Sequence, residues 1–194
     1  MSIYRFAADD CILIVMRGRE KYKVGLVQMS MGSDVVENLE KAVEFTEEAA
    51  GKGANVICLP EMFRSQYFCQ KEDADLFDLA EPLNGPSSQA LSKVADKTGT
   101  IIIAPIFEQR ALGLYHNSLI LIKPGEPVAG VYRKMHIPDD PAYYEKFYFT
   151  PGDMGPVVSG RRSAYSAARG RNSFLPDRDR LASIRKRHLR RAAA

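Results

Sequence analysis

The chain has 194 residues, 45% hydrophobic and 26% charged, which suits one soluble compact domain and excludes both a disordered polymer and a membrane-embedded composition. Its three cysteines, Cys11, Cys58 and Cys69, are odd in number and widely spaced without a CxxC pair, so they argue against a disulfide framework or a zinc knuckle and for a reducing, cytoplasmic setting. The net charge of +3 hides an asymmetry: residues 1–154 carry 16 Lys+Arg against 22 Asp+Glu, a net of −6, whereas residues 155–194 carry 11 against 2, a net of +9.

Residues 1–21 read as an N-terminal extension of undefined structure. Within it, the run from Cys11 to Met16 is too short to span a bilayer. It is flanked by Asp9 and Asp10 and followed by no small-residue cleavage site, so it is not a signal-peptide core. From Lys23 to Met29 an apolar run predicts a buried strand. Ser33 and Asp34 then offer a helix N-cap, with Glu37 three residues after Asp34. Val36, Leu39, Val43 and Ala50 recur at helical spacing until Gly51 and Gly53. Ala54 to Pro60 predicts a second strand, with Glu61 directly after it. This is a strand, helix, strand unit with parallel strands. A short helix is predicted over 72–80 and a longer one from Ser87 to Lys97, capped by Ser87 or Ser88 and ended by Gly99. Three β-rich runs follow, 100–107, 117–122 and 128–132, separated by Gly113 and by the Lys123-Pro124-Gly125 turn, as antiparallel neighbours would be. The pattern predicts an α/β layered fold with helices covering a mixed sheet. Glu61 and Lys134 both stand where a strand runs out, which is where sheet-based folds place chemistry.

The stretch from Tyr132 to Asp153 packs Lys134, His136, several carboxylates and the five rings of Tyr143, Tyr144, Phe147, Tyr148 and Phe149 between prolines. A solvated loop with a snorkelling lysine is the plain reading of such a segment. A polar site is the alternative, with the prolines holding the chain in a fixed, irregular path. By residue type alone Glu61 is an exposed turn carboxylate and Glu145 the partner of Lys146 in a surface ion pair. Cys58, inside an apolar run, reads as core.

Three motifs change that balance. Leu59-Pro60-Glu61-Met62-Phe63, Tyr132-Arg133-Lys134-Met135-His136-Ile137-Pro138, and Glu145 to Asp153 with its Thr150-Pro151-Gly152-Asp153 end occur in order. Together they resemble the nitrilase, or carbon–nitrogen hydrolase, superfamily over residues 22–154. Val27-Gln28-Met29, Tyr67-Phe68-Cys69, Tyr115-His116-Asn117-Ser118 and Asp139-Asp140-Pro141 are similar to its N-carbamoylputrescine amidase branch. The resemblance implies an αββα sandwich, here incomplete, and hydrolysis by a Glu-Lys-Cys triad. It places Glu61 as general base, Lys134 as the cation facing the oxyanion, and Glu145 as the second glutamate orienting substrate and lysine. It implies no metal and no other cofactor, a small carbamoylated amine as substrate, and homo-oligomers in the intact family. Cys69 and His136 are expected in the pocket wall. The chemistry needs such types: a thiol near its free pKa is mostly protonated at neutral pH, so a carboxylate must take its proton and a lysine must steady the developing oxyanion.

In the family the nucleophilic cysteine follows the Pro-Gly-Asp element by some twenty residues, before Trp-Asp-Gln-Trp. Residues 155–194 contain neither cysteine nor tryptophan and are dominated by arginine. Gly155-Pro156-Val157-Val158-Ser159 can be written GGA CCA GTG GTA TCC; with TG in front, the same letters read Trp-Asp-Gln-Trp-Tyr-Pro. In that frame Gly170 to Arg180 can encode Ala-Gly-Ile-Leu-Phe-Tyr-Pro-Thr-Ala-Ile-Gly, again family-like. The expectation is that residues 155–194 are an irregular, out-of-frame tail and that the cysteine strand is missing. Two functions follow: an N-carbamoylputrescine amidase by descent, inactive in this chain, or a non-catalytic binding module whose segment from Ile184 to Arg191 contacts nucleic acid or another anionic partner. The first is preferred, because the alternative frame accounts for the arginines.

Overall fold

The computed structural model describes residues 2–5, 11–15 and 22–153, with side chains from residue 22 onward; the arginine-rich segment lies outside the described residues. Seven strands form one sheet in chain order: β1 (Ser2–Arg5), β2 (Cys11–Val15), β3 (Tyr22–Leu26), β4 (Val56–Cys58), β5 (Ile101–Ala111), β6 (Leu114–Lys123) and β7 (Glu126–Arg133). β3, β4 and β5 run parallel and every other neighbouring pair is antiparallel, so the sheet is mixed as predicted. Part of the extension, whose structure the sequence leaves undefined, joins the sheet as β1 and β2. Cys11 pairs with Gly25 and Ile14 with Tyr22, so the apolar run of β2 continues the sheet beyond β3. Periodicity alone could not place a run this short.

Helix α1 (Val35–Gly51) makes the parallel return from β3 to β4. Asp34 caps it, accepting from the N–H groups of Val36 at 2.7 Å and Glu37 at 3.2 Å. Leu39, Val43 and Ala50 pack against the core as their spacing predicts, but Val36 does not. Val36 is 59% exposed, and the buried positions are Asn38, Ala42 and Thr46. A polar residue can face inward here because Asn38 is fully engaged: Nδ2 donates to the carbonyls of Gly32 at 2.9 Å and Arg64 at 3.0 Å, while Oδ1 accepts from Gly32 N–H at 2.8 Å. These bonds tie the β3–α1 loop to the chain just after Glu61.

The short predicted helix is a 3-10 turn over Ala74–Leu79. The longer one is α2 (Pro86–Thr98), which starts at Gly85 rather than at a serine cap. Pro86 in the first turn needs no N–H partner. The buried carboxylate of Glu81 takes over the capping role and accepts from Ser87 N–H at 2.9 Å. Gly99, at φ 71°, ends α2 by donating to the Ala95 carbonyl.

Both helices cover one face of the sheet. Ala42 of α1 and Leu91, Val94 and Ala95 of α2 pack on Ile57, Ile102, Ala104, Ile120 and Ile122, all at or near zero exposure. The alternate positions point the other way, where Cys58, Ile103, Leu119 and Leu121 are half-buried and Leu26 is 40% exposed. The half-buried Cys58 is thus not core, contrary to expectation. It lies on the face that a second β layer would cover in a complete αββα sandwich, and the described residues build one helical and one β layer. A second apolar cluster sits at the end of that face where β5 meets β6. There Phe68 stacks on Phe107 at 5.0 Å and stands edge-on to Tyr148 at 4.9 Å, with Phe149 and Ile137 beside them.

One residue in the loop after β7 is strained without packing to hold it. Ala142 is exposed and adopts φ 67°. Left-handed backbone costs an alanine roughly 1–2 kcal/mol, more than the entropy a glycine loses on folding. Ala142→Gly should therefore stabilise the chain by about 0.5–1 kcal/mol in urea denaturation; an unchanged or lower midpoint would contradict this geometry.

Candidate functional site

Three chain segments bring polar groups to one place at the strand ends. β4 stops at Cys58, and Pro60 cannot extend its ladder. Met62 then turns the chain at φ 54°, and because Met62 and Phe63 are both buried, Glu61 is left on the outside of the turn with its side chain 54% exposed. This is a strained residue directly beside a candidate site residue, held there by its own packing.

Lys134 follows β7. Its N–H donates to the Asn117 carbonyl at 2.9 Å, which carries the β6–β7 ladder one step past Arg133. Arg133 anchors that end from beneath: its Nε donates to the buried Glu108 at 2.7 Å, and Glu108 also accepts from Ser118. The guanidinium satisfies a carboxylate that would otherwise be costly to bury.

Glu145 opens α3 (Glu145–Tyr148), a single turn fixed by several bonds. Tyr144 N–H donates to the Cys69 carbonyl at 2.8 Å. The Tyr148 hydroxyl donates to the Lys71 carbonyl at 2.6 Å and accepts from Asp73 N–H at 3.0 Å. The chain then returns to β7, with Gly152 N–H bonded to the Lys134 carbonyl at 2.9 Å. A Cβ at Gly152 would collide with the Arg133 carbonyl, so the Pro-Gly-Asp element needs glycine for close approach. The stretch from Tyr132 to Asp153 is therefore a loop tied down at both ends, not a solvated connection.

At its centre, Lys134 Nζ lies 2.8 Å from Glu145 Oε2 and 3.5 Å from Glu61 Oε1. Tyr67 donates its hydroxyl to Glu145 Oε1 at 3.2 Å, and Asn117 Nδ2 donates to Glu61 Oε1 at 2.6 Å. All three predicted site residues converge. Glu145 does not pair with Lys146, which reaches Asp139 instead at 3.7 Å. The two carboxylates differ in character. Glu145 is 5% exposed, with one oxygen bonded to Tyr67 and the other to Lys134. Glu61 is half-exposed and reachable.

Burial works against the charged form of Lys134. The hydrogen bond that Lys134 donates to Glu145 and the charges of Glu61 and Glu145 outweigh it and hold the lysine pKa above its ordinary value. The site thus keeps a full cation at neutral pH. Burial, with the Glu145 charge beside it, pushes the Cys69 thiol up to about 12, although the Tyr67 hydrogen bond opposes this. Burial also raises the half-buried Cys58 thiol. Neither sulfur is a ready thiolate. Burial and the neighbouring Cys69 and Glu145 raise the Tyr67 hydroxyl, so it remains a donor. His136 is exposed, whereas Cys69 is fully buried close to Tyr67 and Glu145. Among the described residues no group of His, Cys, Asp and Glu could hold a metal ion, and no helix is long and apolar enough to cross a membrane.

Tyr67, Asn117 and Glu108 are the contributors that sequence reasoning did not single out. Tyr67 and Asn117 do stand inside quoted motifs, Tyr67-Phe68-Cys69 and Tyr115-His116-Asn117-Ser118, so the signal was their position and not their chemistry.

A mixed sheet with one helical layer and a lysine between two glutamates at its strand ends makes this an α/β domain with a polar site at the strand ends. The profile of the carbon–nitrogen hydrolase family matches residues 23–168, and the chain belongs to that family. It is 39% identical over 138 residues to an N-carbamoylputrescine amidase of Arabidopsis thaliana, covering 71% of this chain and 46% of that protein. A citrullinase of Francisella tularensis is 38% identical over 134 residues, covering 69% and 46%. Among solved structures, a carbon–nitrogen hydrolase from Helicobacter pylori superposes with a TM-score of 0.64 at 42% identity, covering 68% of this chain and 45% of that one. The chain spans about half the length of the curated relatives it matches.

The buried, protonated state of Cys69 has a direct chemical readout. In the native chain at pH 8, iodoacetamide should leave Cys69 unmodified by peptide mass mapping, and urea should expose it; rapid native alkylation would contradict this placement.

Proposed function

We propose that this chain carries the glutamate–lysine part of a carbon–nitrogen hydrolase site of the N-carbamoylputrescine amidase type, acting on small carbamoylated amines. The observation that carries the reading is Lys134 Nζ held between Glu145 Oε2 and Glu61 Oε1 at 2.8 and 3.5 Å. A ureido carbonyl oxygen set on this ammonium group gains charge when a nucleophile adds to its carbon, and the preplaced cation stabilises that charge. Glu61, half-exposed, is the group placed to take a proton from a nucleophile and return it to the departing ammonia. Glu145 keeps Lys134 in place. The relatives named N-carbamoylputrescine amidase and citrullinase support a ligand with a terminal ureido group on an aliphatic chain.

In the complete reaction a cysteine sulfur bonds to the ureido carbon, ammonia leaves, and water then cleaves the thioester-like intermediate to give putrescine and carbon dioxide. The raised pKa values of Cys58 and Cys69 speak against either as that nucleophile. We infer that the chain binds this ligand class without turning it over, and that residues 155–194 are the out-of-frame remainder of the same domain.

Calorimetric titration of the full chain with N-carbamoylputrescine, beside an enzymatic ammonia assay, tests this. Saturable binding, lost in Lys134→Met, with no ammonia above the blank is expected. Ammonia release that disappears in Lys134→Met would contradict the inferred inactivity, and no binding of either N-carbamoylputrescine or citrulline would contradict the ligand class.

A further inference from the structure

The proposed chemistry requires Glu61 to exchange a proton, yet Glu61 is the least restrained member of the site. It sits on a turn, half-exposed, and its contact with Lys134 at 3.5 Å is long for a charged hydrogen bond. An exposed glutamate with three side-chain torsions does not keep one position through so weak a contact alone. Its shortest bond is to Asn117, whose Nδ2 donates to Oε1 at 2.6 Å. Asn117 is itself 6% exposed and belongs to strand β6, between β5 and β7, in register with Phe107 of β5. The same residue accepts the Lys134 N–H on its backbone carbonyl at 2.9 Å. One strand residue therefore fixes the backbone of the cation and the side chain of the carboxylate together.

The bonding also separates the two oxygens of Glu61. Oε1 takes both the Asn117 amide and Lys134 Nζ, while Oε2 has no hydrogen-bond partner among the described residues. Glu145 contrasts with it, since Tyr67 and Lys134 occupy one oxygen each. We propose that Asn117 is a positioning residue that holds Glu61 against Lys134 through Oε1 and leaves Oε2 as the oxygen that accepts and returns the proton. An acid HX approaching the site gives its proton to Oε2 and remains as X⁻ beside the Lys134 ammonium group, so charge is conserved locally. This assignment rests on the reading of the site given above, and it explains why two glutamates on one lysine need not share a role. Asn117 supplies this through an amide that can donate at neutral pH without adding charge.

The test needs no turnover. With the full chain labelled with ¹³C at lysine Cε, the Lys134 resonance reports its titration in the parent, in Asn117→Leu, in Asn117→Ala and in Glu61→Gln. Each variant is first checked for a native amide spectrum, and the two Asn117 substitutions differ in bulk so that one packing defect does not decide the result. The expected result is a Lys134 midpoint lowered in both Asn117 variants by at least half the drop seen in Glu61→Gln, because a released Glu61 no longer neighbours the ammonium group. A midpoint unchanged in both Asn117 variants while Glu61→Gln lowers it would overturn the proposal. No change in any variant would overturn it too, by removing the Glu61–Lys134 pairing on which it stands. Failure of the chain to bind a ureido ligand would leave this titration result untouched, so the two readings fail separately.

Discussion

The site depends on one ammonium group shared by two carboxylates. Lys134 sits at the end of β7, Glu61 at the turn after β4 and Glu145 at the start of α3, so three segments distant in sequence meet at Nζ. Two negative charges on one positive charge would be costly if all three were buried. Here the burial is graded: Glu145 is almost fully enclosed and fully hydrogen-bonded, Lys134 is partly open, and Glu61 is half-exposed. The two carboxylates keep the lysine charged against its partial burial, and the gradient leaves Glu61 as the more accessible of the two.

The fold around it explains why the gradient holds. The Glu108–Arg133 pair fixes the end of β7, the Tyr148 hydroxyl pins α3 to the chain at Lys71 and Asp73, and the close contact at Gly152 returns the loop to the lysine. Asn38 performs a similar service on the other side by tying the chain after Glu61 to the β3–α1 loop. Each of these groups removes freedom from a segment that carries a site residue.

Much of this was legible in the residues. The strand, helix, strand unit, the Asp34 cap, the Gly99 stop and the two hairpins follow from period and turn chemistry, which are local properties. Glu61, Lys134 and Glu145 were placed by motif order. What could not be read was long-range. Leu39, Val43 and Ala50 of α1 face the core as their spacing predicts, but Val36 does not, and Asn38 takes an inward place because carbonyls 6 and 26 residues away satisfy it. A serine cap for α2 is the local reading, but Glu81 reaches the helix start from the preceding loop and takes that role. The structure of the extension is undefined by its pattern, since β2 pairs with β3 through its main chain, which no side-chain pattern reports. Cys58 looked like core because one face of the sheet is only half-covered among the described residues, a property of what packs on the strand and not of the strand itself.

The shared ammonium group can be tested without reference to activity. A double-mutant cycle on unfolding free energy with Lys134→Met, Glu145→Gln and the pair measures how strongly the two groups depend on each other. A coupling on the order of 1–3 kcal/mol is the value this arrangement predicts. Strictly additive losses would mean that the lysine and the enclosed glutamate do not meet, and the account of the site would fall with them.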